Sequence, residues 1–208
     1  MLIQIITIAV LLFAFILVFR RTGLITNRIA ALTGALGLGL LAATEIYSFA
    51  YFHLMHGDAA DITVANYSRN CAYLFFLAAI LYLLTEQDKR GRSLCLQIVA
   101  GIISVLAIVL IFIGVITGDP QVLYYSALVM MVLCVLSAVF LIVKGNRDAR
   151  LFAFSVIIVC VLDSIHRLLI IFCHTWYQAD IALLFYPVVY LLIGFSLYRL
   201  EEEPKADG

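Results

Sequence analysis

Asp163, His166 and Arg167 stand close together in the stretch VLDSIHRLLIIFCHTWYQAD (161–180), which begins inside an apolar run. A carboxyl, an imidazole and a guanidinium can pair as ions, bind a polar ligand or exchange protons. Asp163 and Arg167 are four residues apart, a spacing that lets them pair along one helix. A second acid, Glu45, lies in another apolar run and has no basic residue within a turn. It is expected to find its partner across the fold, and Arg167 is the candidate to stand between the two acids. A charge at the centre of a membrane helix costs about 2.5–3.5 kcal/mol on insertion scales. Residues that bear this cost usually face the protein interior and mark functional sites. The candidate ligand-binding set is Glu45, His53, Asp163, His166 and Arg167.

Glu45 and His56 are 11 residues apart, as are Asp163 and His174. On a helix this separation is close to three turns, so each pair shares a face about 16 Å long. If the histidines mark the outer boundary, the acids reach similar depth near the middle of the bilayer. His56, His174 and Trp176 would then frame a pocket entrance. No catalytic residue and no metal ligand is assigned, because the four histidines form neither HxxxH nor HExxH. No cofactor is expected. The absence of a lysine inside any apolar run excludes a retinal Schiff base of the usual kind.

The elements that must carry these groups are legible in the composition. The 208 residues are 65% hydrophobic and 12% charged, against about 25% charged in a soluble domain. Seven blocks approach the roughly 20 apolar residues needed to cross a bilayer: 2–19, 29–55, 70–85, 95–117, 122–144, 151–173 and 181–199. The expected fold is therefore an all-α integral membrane protein with seven transmembrane helices over 1–200 and a short tail over 201–208. The first block lacks a basic leader and a small-residue cleavage site, so it reads as a retained helix rather than a signal peptide. Of 13 basic residues, 11 fall on alternate connections, after the first, third, fifth and seventh blocks. The positive-inside rule then predicts an outer N-terminus and a cytoplasmic C-terminus, in a bacterial inner membrane. Arg69 falls on an outer connection in this reading. Gly34, Gly37 and Gly39 are expected to let helices approach closely. Cys71 and Cys173 both fall near the outer surface, which leaves a disulfide between them open.

The polar residues also suggest a repeat. Besides the matched acid-to-histidine spacing, YLFFLAAILYLLTEQDK (73–89) parallels YLLIGFSLYRLEEEPK (190–205). This predicts a 3+1+3 parallel repeat, with blocks one to three repeated as five to seven.

The segment DIALLFYPVVYLLIGFSLYRLEEE (180–203), through Asp180, Pro187, Tyr190 and the Leu-Tyr-Arg-Leu-Glu that ends at Glu201, resembles the last helix of a known class of module. These are the seven-helix membrane modules that precede output domains in bacterial diguanylate cyclases and histidine kinases. NYSRNCAYLFFLAAILYLL (66–84) resembles their third helix. Together the two segments cover about a quarter of the chain. The resemblance implies a sensor. With no output domain before Gly208, it also implies signalling to a separate cytoplasmic protein. The expected partners are the bilayer, a small-molecule ligand and that protein. No nucleic acid is expected, and homo-oligomerisation is left open. Two other readings stand beside this one: a small proton-coupled carrier or channel, and an intramembrane metal-dependent hydrolase.

Overall fold

A computed structural model describes residues 2–22, 27–55, 63–87, 120–173 and 183–200, with scattered positions between 98 and 117. The described residues contain helices and no strand. The six helices are α1 (Leu2–Arg21), α2 (Arg28–His53), α3 (Thr63–Gln87), α4 (Pro120–Lys144), α5 (Arg147–Cys173) and α6 (Tyr186–Tyr198). The first five contain stretches long and apolar enough to cross a membrane. The described positions of the fourth apolar block, among them Ile98, Val105 and Phe112, are helical and exposed; the rest of that block lies outside the described residues.

Two boundaries differ from the sequence expectation. Among the described residues the seventh block yields a helix of 13 residues, α6, about 20 Å long. Pro187 sits in its first turn, where a residue without an N–H is tolerated and a helix readily begins. Helix α3 begins at Thr63, seven residues before the expected start. Its first turns are the polar TVANYSRN, which hydropathy alone assigns to a loop. This shift carries Arg69 from a connection into a helix.

The helices form a closed ring. Each packs on its neighbours in chain order, and α6 closes the circle against α1. Across the ring, α2 also meets α6 and α3 meets α5. Small residues make the close approaches: Ala14, Ala30, Ala31, Ala35, Ala72 and Ala153 are buried. Large apolar side chains such as Phe13, Phe140, Val143 and Phe154 face outward. This is the reverse of a soluble protein and is the surface a lipid solvent requires. Hydroxyls on the helices are satisfied locally, as where Ser155 donates to Leu151 O (2.8 Å) and Thr44 to Leu40 O (2.8 Å).

Connections gather the basic residues at one end. Arg20 and Arg21 close α1, Lys144 closes α4, and α5 opens at Arg147. At this end the Arg21 guanidinium lies over the Tyr198 ring, 3.9 Å from its centroid, tying α1 to α6. The α4–α5 turn is only Gly145–Asn146. Asn146 Oδ1 accepts from Ala149 N (2.9 Å), a side-chain N-cap. A Cβ on Gly145 would run into the Leu141 carbonyl.

The expected close packing at Gly34, Gly37 and Gly39 is present, against Leu197, Phe76 and Phe15 respectively. Gly194 of α6 packs directly on the backbone of α1 at Ala14. A Cβ there would lie 2.7 Å from Ala14 Cβ and 3.3 Å from its Cα. Helix backbone cannot yield as a side-chain tip can. Gly194→Leu is therefore expected to separate α6 from α1 and destabilise the protein by about 1–3 kcal/mol or more, read as a lowered unfolding temperature in detergent. Gly34→Ala meets only the flexible end of Leu197 and should be milder.

Candidate functional site

Four helices of the ring meet at Arg69. From α3 its Nη2 donates to Glu45 Oε1 on α2 at 2.8 Å, and its Nη1 donates to Asp163 Oδ1 on α5 at 3.2 Å. Tyr186, the first residue of α6, donates its hydroxyl to the same Asp163 Oδ1 at 2.9 Å. The Tyr190 ring stacks on Tyr186 with centroids 5.5 Å apart. Tyr73 and Tyr190 are both buried. The result is one guanidinium facing two carboxyl groups, enclosed by tyrosines.

Helical spacing builds the cluster. Arg69 and Tyr73 are four residues apart on α3, as are Tyr186 and Tyr190 on α6, so each pair shares an inward face. The surrounding polar contacts pin α3 to α2 and to α4. Ser68 Oγ donates to Leu40 O (3.3 Å), Asn70 Nδ2 to Ser126 Oγ (3.1 Å) and Cys134 Sγ to Tyr73 O (3.4 Å).

The two acids are not equivalent. The Asp163 side chain is 1% exposed and its Oδ1 accepts two donors. The Glu45 side chain is 11% exposed and Arg69 19%. Among the described residues Glu45 accepts only through Oε1. Arg69 Nε is buried without a hydrogen-bond partner. The cluster thus has a sealed half at Asp163 and an accessible half at Glu45 and Arg69.

Along its helices the cluster is set off toward one end. Arg69 lies six residues, about 9 Å, from the start of α3, and Glu45 eight residues, about 12 Å, from the end of α2. Asp163 lies ten residues, about 15 Å, from the end of α5. All three are nearer the ring end opposite the basic connections.

Of the residues singled out from sequence, Glu45 and Asp163 meet on a single guanidinium. That guanidinium belongs to Arg69, where Arg167 was expected. Arg167 is on helical backbone in α5, but its side chain lies outside the described residues, as do His56, His174 and Trp176. His166 stands beside the cluster, its ring edge-on to Tyr186 at 6.3 Å. His53 does not join the cluster. It is exposed at the end of α2, about 12 Å along the helix from Glu45, against the Phe49 ring at 4.8 Å. Cys71 is a free thiol, and the Cys173 side chain lies outside the described residues. Among the described residues no three His, Cys, Asp or Glu side chains gather to hold a metal ion.

Arg69, Tyr186 and Tyr190 are the members that sequence reasoning left unassigned. The signal for Arg69 is the periodic series Ala65, Arg69, Ala72, Phe76 and Ile80, which runs through the polar start of α3 and is one helical stripe.

An ion pair removed from water carries a desolvation cost that its mutual attraction must offset. Three ionisable groups in one helix crossing therefore couple four helices tightly, and any group that competes for one of them alters how the helices are held. No protein-family model, no curated protein and no solved structure matches this chain, so its site is read from its own geometry.

Proposed function

We propose that the chain is a seven-helix membrane module that binds a small ligand at the Arg69 cluster and passes the signal to a cytoplasmic protein. The observation that carries this reading is the position of Arg69. It ties the acid of α2 to the acid of α5 by two hydrogen bonds from one guanidinium. A ligand that takes over either bond changes how the two sets of helices are coupled, which is what a sensor requires.

Repeat-like architecture supports the same reading. Packing of α1 on α2 and α2 on α3 has its counterpart in α4 on α5 and α5 on α6. The contacts α3–α4 and α1–α6 exchange under the same swap, as do α2–α6 and α3–α5. Asn27–Arg28 opens α2 as Asn146–Arg147 opens α5. Glu45 corresponds to Asp163 with a slip of one residue from that start, and Arg69–Tyr73 to Tyr186–Tyr190 with a slip of one more. Two parallel three-helix halves with unlike residues at one matched position form an asymmetric hinge. With Arg69 inside a helix, the basic residues of the connections favour a single side, which supports a cytoplasmic C-terminus.

The reading requires that the accessible half open to the outer solution. In sealed, right-side-out membranes, a water-soluble carbodiimide with glycine ethyl ester is expected to modify Glu45 and spare Asp163, as mapped by mass spectrometry. A Glu45 that resists the reagent while exposed carboxyls react would make the cluster a helix fastener and refute the ligand site.

A further inference from the structure

Resting on the reading of the cluster as a ligand site, we infer that its ligand class is a small organic cation with N–H donors, a primary ammonium group, bound at Glu45 Oε2. Three observations converge on this chemistry.

The first is charge. Among the described side chains the cluster sets two acids against one guanidinium, so an anion entering this part of it meets an excess of like charge. The second is the unmet hydrogen-bonding capacity. Glu45 is 8% exposed as a residue, yet its Oε2 accepts no hydrogen bond from a described residue. The unpartnered donor, Arg69 Nε, is sealed from solvent. A ligand arriving at the accessible half therefore meets a carboxylate oxygen with no described partner, while both terminal nitrogens of Arg69 already donate to the two acids. A charged N–H donor to a carboxylate is among the stronger hydrogen bonds available. A metal ion would need several oxygens, and no described trio of candidate ligands gathers here.

The third observation is the aromatic lining. Tyr190 stacks on Tyr186, whose hydroxyl donates to Asp163 beside Arg69. Along α2, Glu45, Phe49 and His53 follow at intervals of four residues, with Phe49 and His53 in ring contact. Successive residues at this interval stack along one side of a helix. They form an aromatic track from the exposed end of α2 down to the acid. Aromatic faces attract organic cations, so the track suits an ammonium ligand better than a carboxylate.

The bound state follows from the geometry. An ammonium group donates to Glu45 Oε2 and weakens the hold of Arg69 Nη2 on Oε1. Arg69 then rests on Asp163, where Tyr186 already supports the acceptor. The ligand thus shifts Arg69 toward α5 and loosens α2 from α3.

The test uses the full chain in lipid nanodiscs at fixed ionic strength, with the chloride salts of methylammonium, benzylammonium and tetramethylammonium, and with sodium acetate. Methylammonium and benzylammonium are expected to raise the unfolding temperature, as any ligand selective for the folded state does. Benzylammonium should act at lower concentration. Tetramethylammonium, which has no N–H, and acetate should have no effect. Glu45→Gln should weaken the benzylammonium response by roughly tenfold or more. The donor comparison is made on the wild-type protein, so it remains decisive if the variant folds poorly. Stabilisation by acetate alone would overturn the cation assignment and leave the ligand site standing. An equal response to tetramethylammonium, or an undiminished response in Glu45→Gln, would overturn the contact with Oε2. No response to any probe would overturn the cation assignment, and the carbodiimide result then decides whether the site itself stands.

Discussion

Arg69→Met is expected to be the most damaging single substitution among the described charged residues. It removes the one described cation from a cluster whose Asp163 is 1% exposed and leaves two carboxyl groups facing each other across α2 and α5. Removing one partner of a buried ion pair costs about 3–5 kcal/mol, because the remaining charge stays desolvated. Folded proteins hold a margin of only about 5–15 kcal/mol. The variant should therefore lose most of its folded population or unfold far below the wild type in detergent. Arg69→Lys should fall between the two, because an ammonium point charge cannot span two acceptors as a planar guanidinium does. Arg199→Met supplies the control. Its 3.9 Å contact with Asp148 is solvent-exposed, and exposed pairs contribute about 0–1 kcal/mol. Comparable losses at Arg69 and Arg199 would show that the Arg69 pairs are not buried.

The parts of this fold that the sequence disclosed are those that hydropathy and spacing report. Long apolar blocks became helices, and Gly34, Gly37 and Gly39 mark close packing. The matched positions of Glu45 and Asp163 placed two acids at one junction. Hidden from that reading was the cation between them. Arg167 attracts attention because four residues separate it from Asp163, whereas Arg69 lies 94 residues from Asp163 and 24 from Glu45. Such separations are set by tertiary packing, not by local periodicity. Arg69 was hidden further by Asn66, Ser68 and Asn70, whose polarity makes the first turns of α3 look like a loop. Ser68 and Asn70 nonetheless reach into the ring, to the Leu40 carbonyl and to Ser126. Tyr186 and Tyr190 were obscured for another reason. Tyrosine is common at membrane interfaces, and only the hydroxyl contact with Asp163 separates a cluster member from a boundary residue.

The central claim is that Glu45, Arg69 and Asp163 act as one coupled unit, and its most direct test is a rescue experiment. Mutations at independent sites add, whereas members of one ion-pair network do not. Asp163→Asn and Glu45→Gln each keep shape and hydrogen-bonding capacity while removing an acid. Asp163→Asn alone deprives Arg69 of its buried anion and should destabilise the protein. Glu45→Gln alone should cost less, since that side chain is the more accessible one. In the triple variant Glu45→Gln, Arg69→Met, Asp163→Asn, all three charges of the described cluster are removed together. A buried ion network replaced by neutral groups of similar size is often tolerated. The measurement is the thermal unfolding midpoint of the triple variant beside those of Arg69→Met and the two acid variants. Recovery of most of the stability lost in Arg69→Met, far from the sum of the three single effects, is the predicted result. A triple variant as unstable as that sum, or less stable than Arg69→Met alone, would contradict the coupled cluster.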